Sequence, residues 1–442
     1  MGAVRILAAA AVLAGTVVLP VASTSAAPHS ALVPGTASAA QAVGTASGGA
    51  QALGTASAAE TFPRPSGTSY ALSGRGYGHG RGMSQYGAYG AALKGLTASQ
   101  ILSFYYPGTT RSAAIGNPTV RVRLTAVGSG PTQVVSQPRL VVSDGTRTGS
   151  LYVRNGDGSL RQRWRLVPEG SGLTLQWLEK GAWRSTSSWR AVTRPLSFSD
   201  AGLGKVRVVM PNGTQRDYRR TVRSLRWGSG VMTLSVVPMH YYLQSVVPAE
   251  MPPSWSTPAL EAQAVAARSY AARQASRQPA GTPYDTCDST SCQVYRGLAG
   301  YSAGGTLTPF EHPRTTAAVA ATSGVGVFSG GAVALTEFGS SNGGRTVATS
   351  LPYQVSKSDP YDAVPTGSTS RWTTSLPVSR IEKAYPSTGT LKALRIDKRD
   401  GIDAWGGRIV TLTVVGSAGS RTVSGDAFRA AMGLRSTWWT VP

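Results

Sequence analysis

One carboxylate stands in an unusually constrained stretch of this sequence. Glu250 lies within Ser245-Val-Val-Pro-Ala-Glu-Met-Pro-Pro-Ser-Trp255, where prolines and apolar residues stiffen the backbone on both sides. A carboxyl partly withdrawn from water there has a raised pKa and can stay protonated as a general acid. On residue types alone, a Glu250 that caps a helix or pairs with an arginine is the more ordinary reading. A second stretch, Gly74-Arg-Gly-Tyr-Gly-His79-Gly-Arg-Gly-Met-Ser84-Gln85-Tyr-Gly87, places glycine at every other position up to Gly82. Read as extended chain, it leaves one face bare to a strand or a sugar chain and puts Arg75, Tyr77, His79 and Arg81 on the other; it can equally be a glycine-rich tight turn with an incidental histidine. No lysine follows where a phosphate-binding loop needs one. A third stretch, Thr336-Glu-Phe-Gly-Ser-Ser341-Asn-Gly-Gly-Arg345-Thr346, offers hydroxyls, an amide and a guanidinium to a glycan, or simply forms a turn. Tyr353 follows with an aromatic face or a hydroxyl donor.

The elements that must position these residues are of both kinds. Helical patterns run over 83–93 and 98–105. Between 118 and 237 apolar and polar residues alternate, as in Val120, Val122 and Leu124 against Thr119, Arg121 and Arg123, with turns at Asn155-Gly156 and Asn212-Gly213. From Met239 the period becomes helical, with Tyr242, Leu243, Val246 and Val247. An alanine-rich helix then runs from Pro258 to Gln274, with Thr257 able to cap it. Short strands such as 409–415 and a helix near 427–432 close the chain. The expected fold is α+β, a helix-containing catalytic domain with mixed short strands behind a β-rich region.

Residues 1–27 have the layout of a secretory signal: Arg5, an apolar run from Ile6 to Val21, then small residues to Ala27. The run is short for a bilayer span, so no stable span is expected after cleavage. Residues 28–63 repeat Gly-Thr-Ala-Ser with almost no charge and read as a disordered linker. The remaining boundaries expected are 64–117 for the Gly-His-Gly segment, 118–230 for the β-rich insertion and 231–442 for the catalytic domain.

Across 442 residues, 43 Lys and Arg face 20 Asp and Glu, a formal charge of +23 that favours anionic partners. The basic residues are scattered between apolar ones, with no zinc-finger or RNP-like pattern, which argues against nucleic acid and for wall polymer. Only two cysteines occur, Cys287 and Cys292. Export favours a local disulfide between them. Two thiolates could otherwise take zinc, with Asp288, His312 or His79 as partners.

Val-Val-Pro-Ala-Glu250-Met-Pro, then Ala-Gln-Ala-Val-Ala-Ala-Arg268-Ser-Tyr, then Cys292-Gln-Val-Tyr, then Ser341-Asn-Gly-Gly-Arg345-Thr together resemble the stage II sporulation protein D and amidase-enhancer family. The Gly-His79-Gly-Arg-Gly-Met-Ser84-Gln85-Tyr-Gly segment is similar to a further motif of it, here preceding the core rather than following it as in the commoner arrangement. The resemblance implies a secreted lytic transglycosylase that cuts peptidoglycan glycan strands between N-acetylmuramic acid and N-acetylglucosamine, leaving 1,6-anhydro ends. Glu250 would be the single acid and base. Arg268 and Tyr353 become candidates for positioning or charge stabilisation, His79, Ser84 and Gln85 for lining the cleft, and Ser341 and Arg345 for contacting substrate. No cofactor or metal is implied. A second reading, from the same resemblance, is a non-catalytic wall-binding protein that stimulates an N-acetylmuramoyl-L-alanine amidase. A generic secreted adhesin would leave the Glu250 motif unexplained.

Overall fold

Arginines alternating with valines make the first long strand of the larger sheets: in Thr119–Arg123, Val120 and Val122 are buried while Arg121 and Arg123 reach outward. The computed structural model describes residues 59–442, and the expected signal segment and the linker up to residue 58 lie outside them. The linker was expected to run to residue 63, but Glu60–Pro63 is a strand, antiparallel to Leu391–Arg399. Phe62 packs on the apolar core there, and Glu60 pairs with buried Arg399 at 2.6 Å.

Two sheets enclose the largest core. One runs in the order Thr286–Cys287, Thr119–Arg123, Gly230–Pro238, Thr221–Trp227, Leu196–Asp200, Leu140–Ser143, Thr148–Ser150. The other runs Ala182–Ser185, Gly172–Glu179, Arg163–Glu169, Thr132–Val135, Lys205–Val209, Gln215–Arg219, Ala299–Tyr301, Leu307–Pro309. Thr286–Cys287, Ala299–Tyr301 and Leu307–Pro309 lie beyond the β-rich stretch in sequence, yet they extend its sheets.

Helices α1 (Gln85–Leu93), α2 (Ala98–Tyr105), α3 (Met239–Glu250), α4 (Thr257–Arg277) and α5 (Pro313–Ala321) build the remainder of the site's support. Strand Gly230–Pro238 leads directly into α3, which sinks Tyr242, Leu243, Val246 and Val247 into the sandwich core. The alanines of α4 explain its central place. Ala264, Ala267 and Ala271 face that core, while Ala259, Ala262 and Ala266 face a second one with α1 and α2. Side chains this small let a helix be packed on every side. Ser256, rather than Thr257, occupies the N-cap position of α4. A third core joins Tyr70 and Leu72 to the C-terminal strands Leu391–Arg399 and Ile409–Gly416, covered by α6 (Val378–Ala384) and α7 (Gly425–Met432). The fold is thus α+β. Among the described residues no helix is long and apolar enough to cross a membrane.

Candidate active site

Glu250 is the last residue of α3, whose buried face holds it rigidly, and the next residue, Met251, is fully buried. Two segments distant in sequence hydrogen-bond to it. The Gln85 side-chain amide, in the first turn of α1, donates to its main-chain carbonyl at 2.9 Å. The Val294 N–H donates to its Oε1 at 2.9 Å. Gln293 and Tyr295 explain how Val294 is aimed. Gln293 accepts from the Tyr242 hydroxyl at 2.8 Å and Tyr295 shares a hydrogen bond with Ser235 in the core, so the intervening backbone is pinned toward Glu250. Burial raises the Glu250 pKa above the ordinary carboxyl value, with Val294, Gln85 and Arg296 opposing it only in part. Its place at the negative end of α3 acts in the same direction as burial.

Glu250 lines a cleft of about 270 Å³ together with His79, Arg81, Tyr270, Glu337, Phe338 and the loop edge Thr290, Ser291 and Cys292. His79 accepts the Arg81 N–H at Nδ1, 3.0 Å away, so its neutral ring carries the proton on Nε2. Burial and then Arg81 lower its pKa to about 4. Glu337 is the opposite case to Glu250. Burial pushes it up, but a forked pair with Arg81, with Nη2 at 2.8 Å and Nε at 3.0 Å from Oε1, outweighs burial and holds it below the ordinary value. The cleft therefore holds one carboxyl biased to its acid form and one biased to its charged form.

Of the two readings of the glycine segment, extended chain and glycine-rich turn, the regular extended chain is not what forms. Gly76, Gly78, Gly80 and Gly82 all have positive φ, so the backbone winds instead of alternating faces. The glycine at 82 is required by contact as well: a Cβ there would lie 1.9 Å from the Glu337 carbonyl oxygen. That carbonyl also takes the Met83 N–H and the Tyr106 hydroxyl, which seats the Glu337 backbone.

Several residues expected to touch substrate are spent elsewhere. Ser84 caps α1 and donates to Asp362, and Ser341 donates to the other Asp362 oxygen at 2.6 Å. Asn342 donates to Asp359 at 2.6 Å. The loop expected to offer hydroxyls and an amide to a glycan instead ties α1 to two buried aspartates. Arg268, 1 % exposed, donates to the carbonyls of Val325 and Val319 and braces α4 against α5. The Tyr353 hydroxyl is buried and accepts the Leu335 N–H at 2.8 Å, fixing the approach to Glu337. Arg345 lies 3.7 Å from Asp403, beside Arg408 and Trp438 and apart from the cleft lining. Of the expected residues, His79 and Glu250 meet in the cleft and Gln85 supports Glu250.

Cys287 and Cys292 are joined in a disulfide that shapes the cleft edge. The partners considered for zinc are dispersed. Asp288 accepts the Thr125 N–H at 2.8 Å, His312 caps α5, and His79 sits across the cleft with its Nδ1 taken. Glu337 and Tyr270 stood inside recognised motifs, yet nothing local marked them. Their signal is tertiary, since Arg81 reaches Glu337 across 256 residues.

Comparison with known proteins matches the family model for stage II sporulation protein to residues 228–328, the stretch holding α3, α4, the disulfide loop and α5. The chain is 63 % identical over 43 residues to the amidase enhancer of Bacillus subtilis (strain 168), 10 % of this chain and 6 % of that one. It is 47 % identical over 49 residues to stage II sporulation protein D of the same organism, 11 % and 14 % of the two chains. An uncharacterized protein of Brachyspira hyodysenteriae is 32 % identical over 81 residues, 18 % of this chain and 22 % of its own. The chain thus aligns with less than a quarter of each relative's length. Residues 228–328, the span of the Glu250 motif and the helix behind it, are what this chain shares with the stage II sporulation protein D family.

Proposed function

We propose that this chain is a secreted, wall-associated peptidoglycan lytic transglycosylase with Glu250 as its acid and base. The observation that carries the reading is the Glu250 carboxyl, raised by burial and aimed by the Val294 N–H into a cleft open to substrate. A protonated Glu250 gives its proton to the glycosidic oxygen as the C1–O bond breaks. The resulting carboxylate then takes the proton of the C6 hydroxyl as that oxygen bonds to C1. No water is consumed, so one residue serves both halves, unlike the paired carboxylates of hydrolases. The net charge of +23 suits retention on anionic wall polymers. In this reading the signal at 1–27 exports the chain, the linker at 28–63 frees its folded part except where Glu60–Pro63 joins the sheet, and 118–230 supplies binding surface to the catalytic part.

The test is digestion of purified glycan strands, with and without stem peptides, by the exported chain and by Glu250→Gln, with mass analysis of the ends. The wild type is expected to yield 1,6-anhydro ends and the variant none. A folded wild type that binds strands without cutting them would sink the enzyme reading. The likeness to a protein named amidase enhancer favours a second reading, a non-catalytic wall-binding partner of an N-acetylmuramoyl-L-alanine amidase. It would show as faster amidase turnover, unchanged by Glu250→Gln.

A further inference from the structure

We infer that Glu337, held by Arg81 on the cleft wall, is the charge-stabilising residue of the reaction, a second carboxylate that faces the sugar C1 while Glu250 handles the proton. The inference rests on the transglycosylase reading above and names a residue which that reading leaves without a role.

Glu250 and Glu337 line one cleft, reached from different parts of the fold: one from the end of α3, the other from the strand Phe338–Gly339 and the residues before it. Tyr270 of α4 lies in the field of both carboxyls. The Glu337 backbone is fixed more firmly than a surface latch requires. Its carbonyl takes two donors, Thr336 donates to Ala266 of α4 at 2.7 Å, and Leu335 is held by Tyr353 and Gln354. Arg81 gives two contacts to Oε1 and one, from Nε at 3.1 Å, to Oε2, so the carboxylate is fixed in one orientation on the cleft wall.

Chemistry gives this arrangement a use. As the C1–O bond breaks, its electron pair leaves with the glycosidic oxygen, which takes the Glu250 proton, and C1 is left electron-poor. Closure by the C6 hydroxyl returns a proton to Glu250. Between those events positive charge sits at C1, and an ionised carboxylate fixed beforehand stabilises it without forming a bond. Two carboxyls whose surroundings push them apart are the pattern of one acid and one charged stabiliser. The groups facing Glu337 are Arg81, His79, Tyr106 and Tyr270, and those facing Glu250 are Arg296, Tyr242 and Tyr270. Burial and Arg81 keep His79 neutral, so Arg81 is the cation that holds Glu337 ionised.

The experiment compares wild type, Glu250→Gln, Glu337→Gln and Arg81→Met on glycan strands, reading kcat, KM and the pH profile. Glu337→Gln is expected to lower kcat about a hundredfold with KM little changed and to remove the acid limb of the profile. Arg81→Met leaves Glu337 buried without its cation, so its acid limb should move to higher pH, a readout that survives if Glu337→Gln fails to fold. A wild-type kcat and an unmoved acid limb in these variants, with Glu250→Gln inactive, would overturn the role of Glu337 and leave the transglycosylase reading standing. Covalent capture of sugar on Glu337, or products with reducing ends, would overturn it as well. An inert wild type would sink both.

Discussion

Gln85 and Glu250 lie 165 residues apart, and one hydrogen bond joins them: the amide of Gln85 in α1 donates to the Glu250 carbonyl at 2.9 Å. It fastens the glycine-rich segment to the end of α3, so the segment bearing His79 and the helix bearing Glu250 form two walls of one cleft. Gln85→Leu should leave that carbonyl short of a donor in a partly buried place, costing about 1–3 kcal/mol of stability. The measurement is denaturant unfolding beside kcat, which is expected to fall with the loss of alignment.

Glu250 sits above its ordinary value when folded, so the native state holds this proton more tightly than the unfolded chain does. Its stabilising contribution is full below the unfolded value and is lost as pH rises through the folded one. Glu250→Gln should therefore melt higher than wild type at pH 7, with the gap closing toward pH 4. In the same variant kcat should drop by about 10²–10⁴, the range for loss of a general acid. A variant that melts lower at pH 7 would contradict the burial argument.

His79 is lowered to about 4 from 6.5, through burial first and Arg81 second. The activity profile should then show no histidine limb near 6.5, and the His79 ring resonances should titrate near 4. The unfolded chain binds this proton more readily, so His79 contributes stability above its unfolded value that is lost as pH falls toward 4. His79→Gln should flatten that loss in thermal melts across the interval.

The disulfide closes a loop of five residues' separation on the cleft edge, beside Val294. Reduction, or Cys287→Ser with Cys292→Ser, should cost about 2 kcal/mol on the chain-entropy account of so short a loop. With Val294 less well held, Glu250 loses its donor and kcat should fall before the fold melts. Activity against dithiol concentration, read beside circular dichroism, checks the order.

Gly82 and Gly95 separate two costs. Both have positive φ, at 64° and 87°, but a Cβ at Gly82 would meet the Glu337 carbonyl oxygen, whereas nothing lies within 4 Å of one at Gly95. Gly95→Ala should cost about 1–2 kcal/mol from backbone strain alone. Gly82→Ala adds the clash, and should cost more and lower activity through Glu337.

Read as a chain of residues, the sequence determined what neighbouring residues decide together. Alternating valine and arginine make Thr119–Arg123 a half-buried strand, because side chains on a pleat alternate faces. Proline at its start and alanine throughout make α4 a helix, and the helix Ala98–Tyr105 follows from its own local pattern, with Ile101, Leu102 and Tyr105 on one face. Glu250 was legible because its prolines and apolar neighbours are local, and Cys287 with Cys292 because the two are close in sequence. Tertiary structure alone decided the rest. Glycine at alternate positions is silent about φ, so the segment carrying His79 read as extended until its contacts with Glu337 and Ser341 bent it. Arg268, Ser341 and Tyr353 are polar residues whose types suit a sugar or a buried protein group equally, and only packing chose a carbonyl for Arg268, an aspartate for Ser341 and a backbone N–H for Tyr353. Glu337 became a candidate through Arg81, 256 residues away, because a carboxylate takes its charge state from what surrounds it in space.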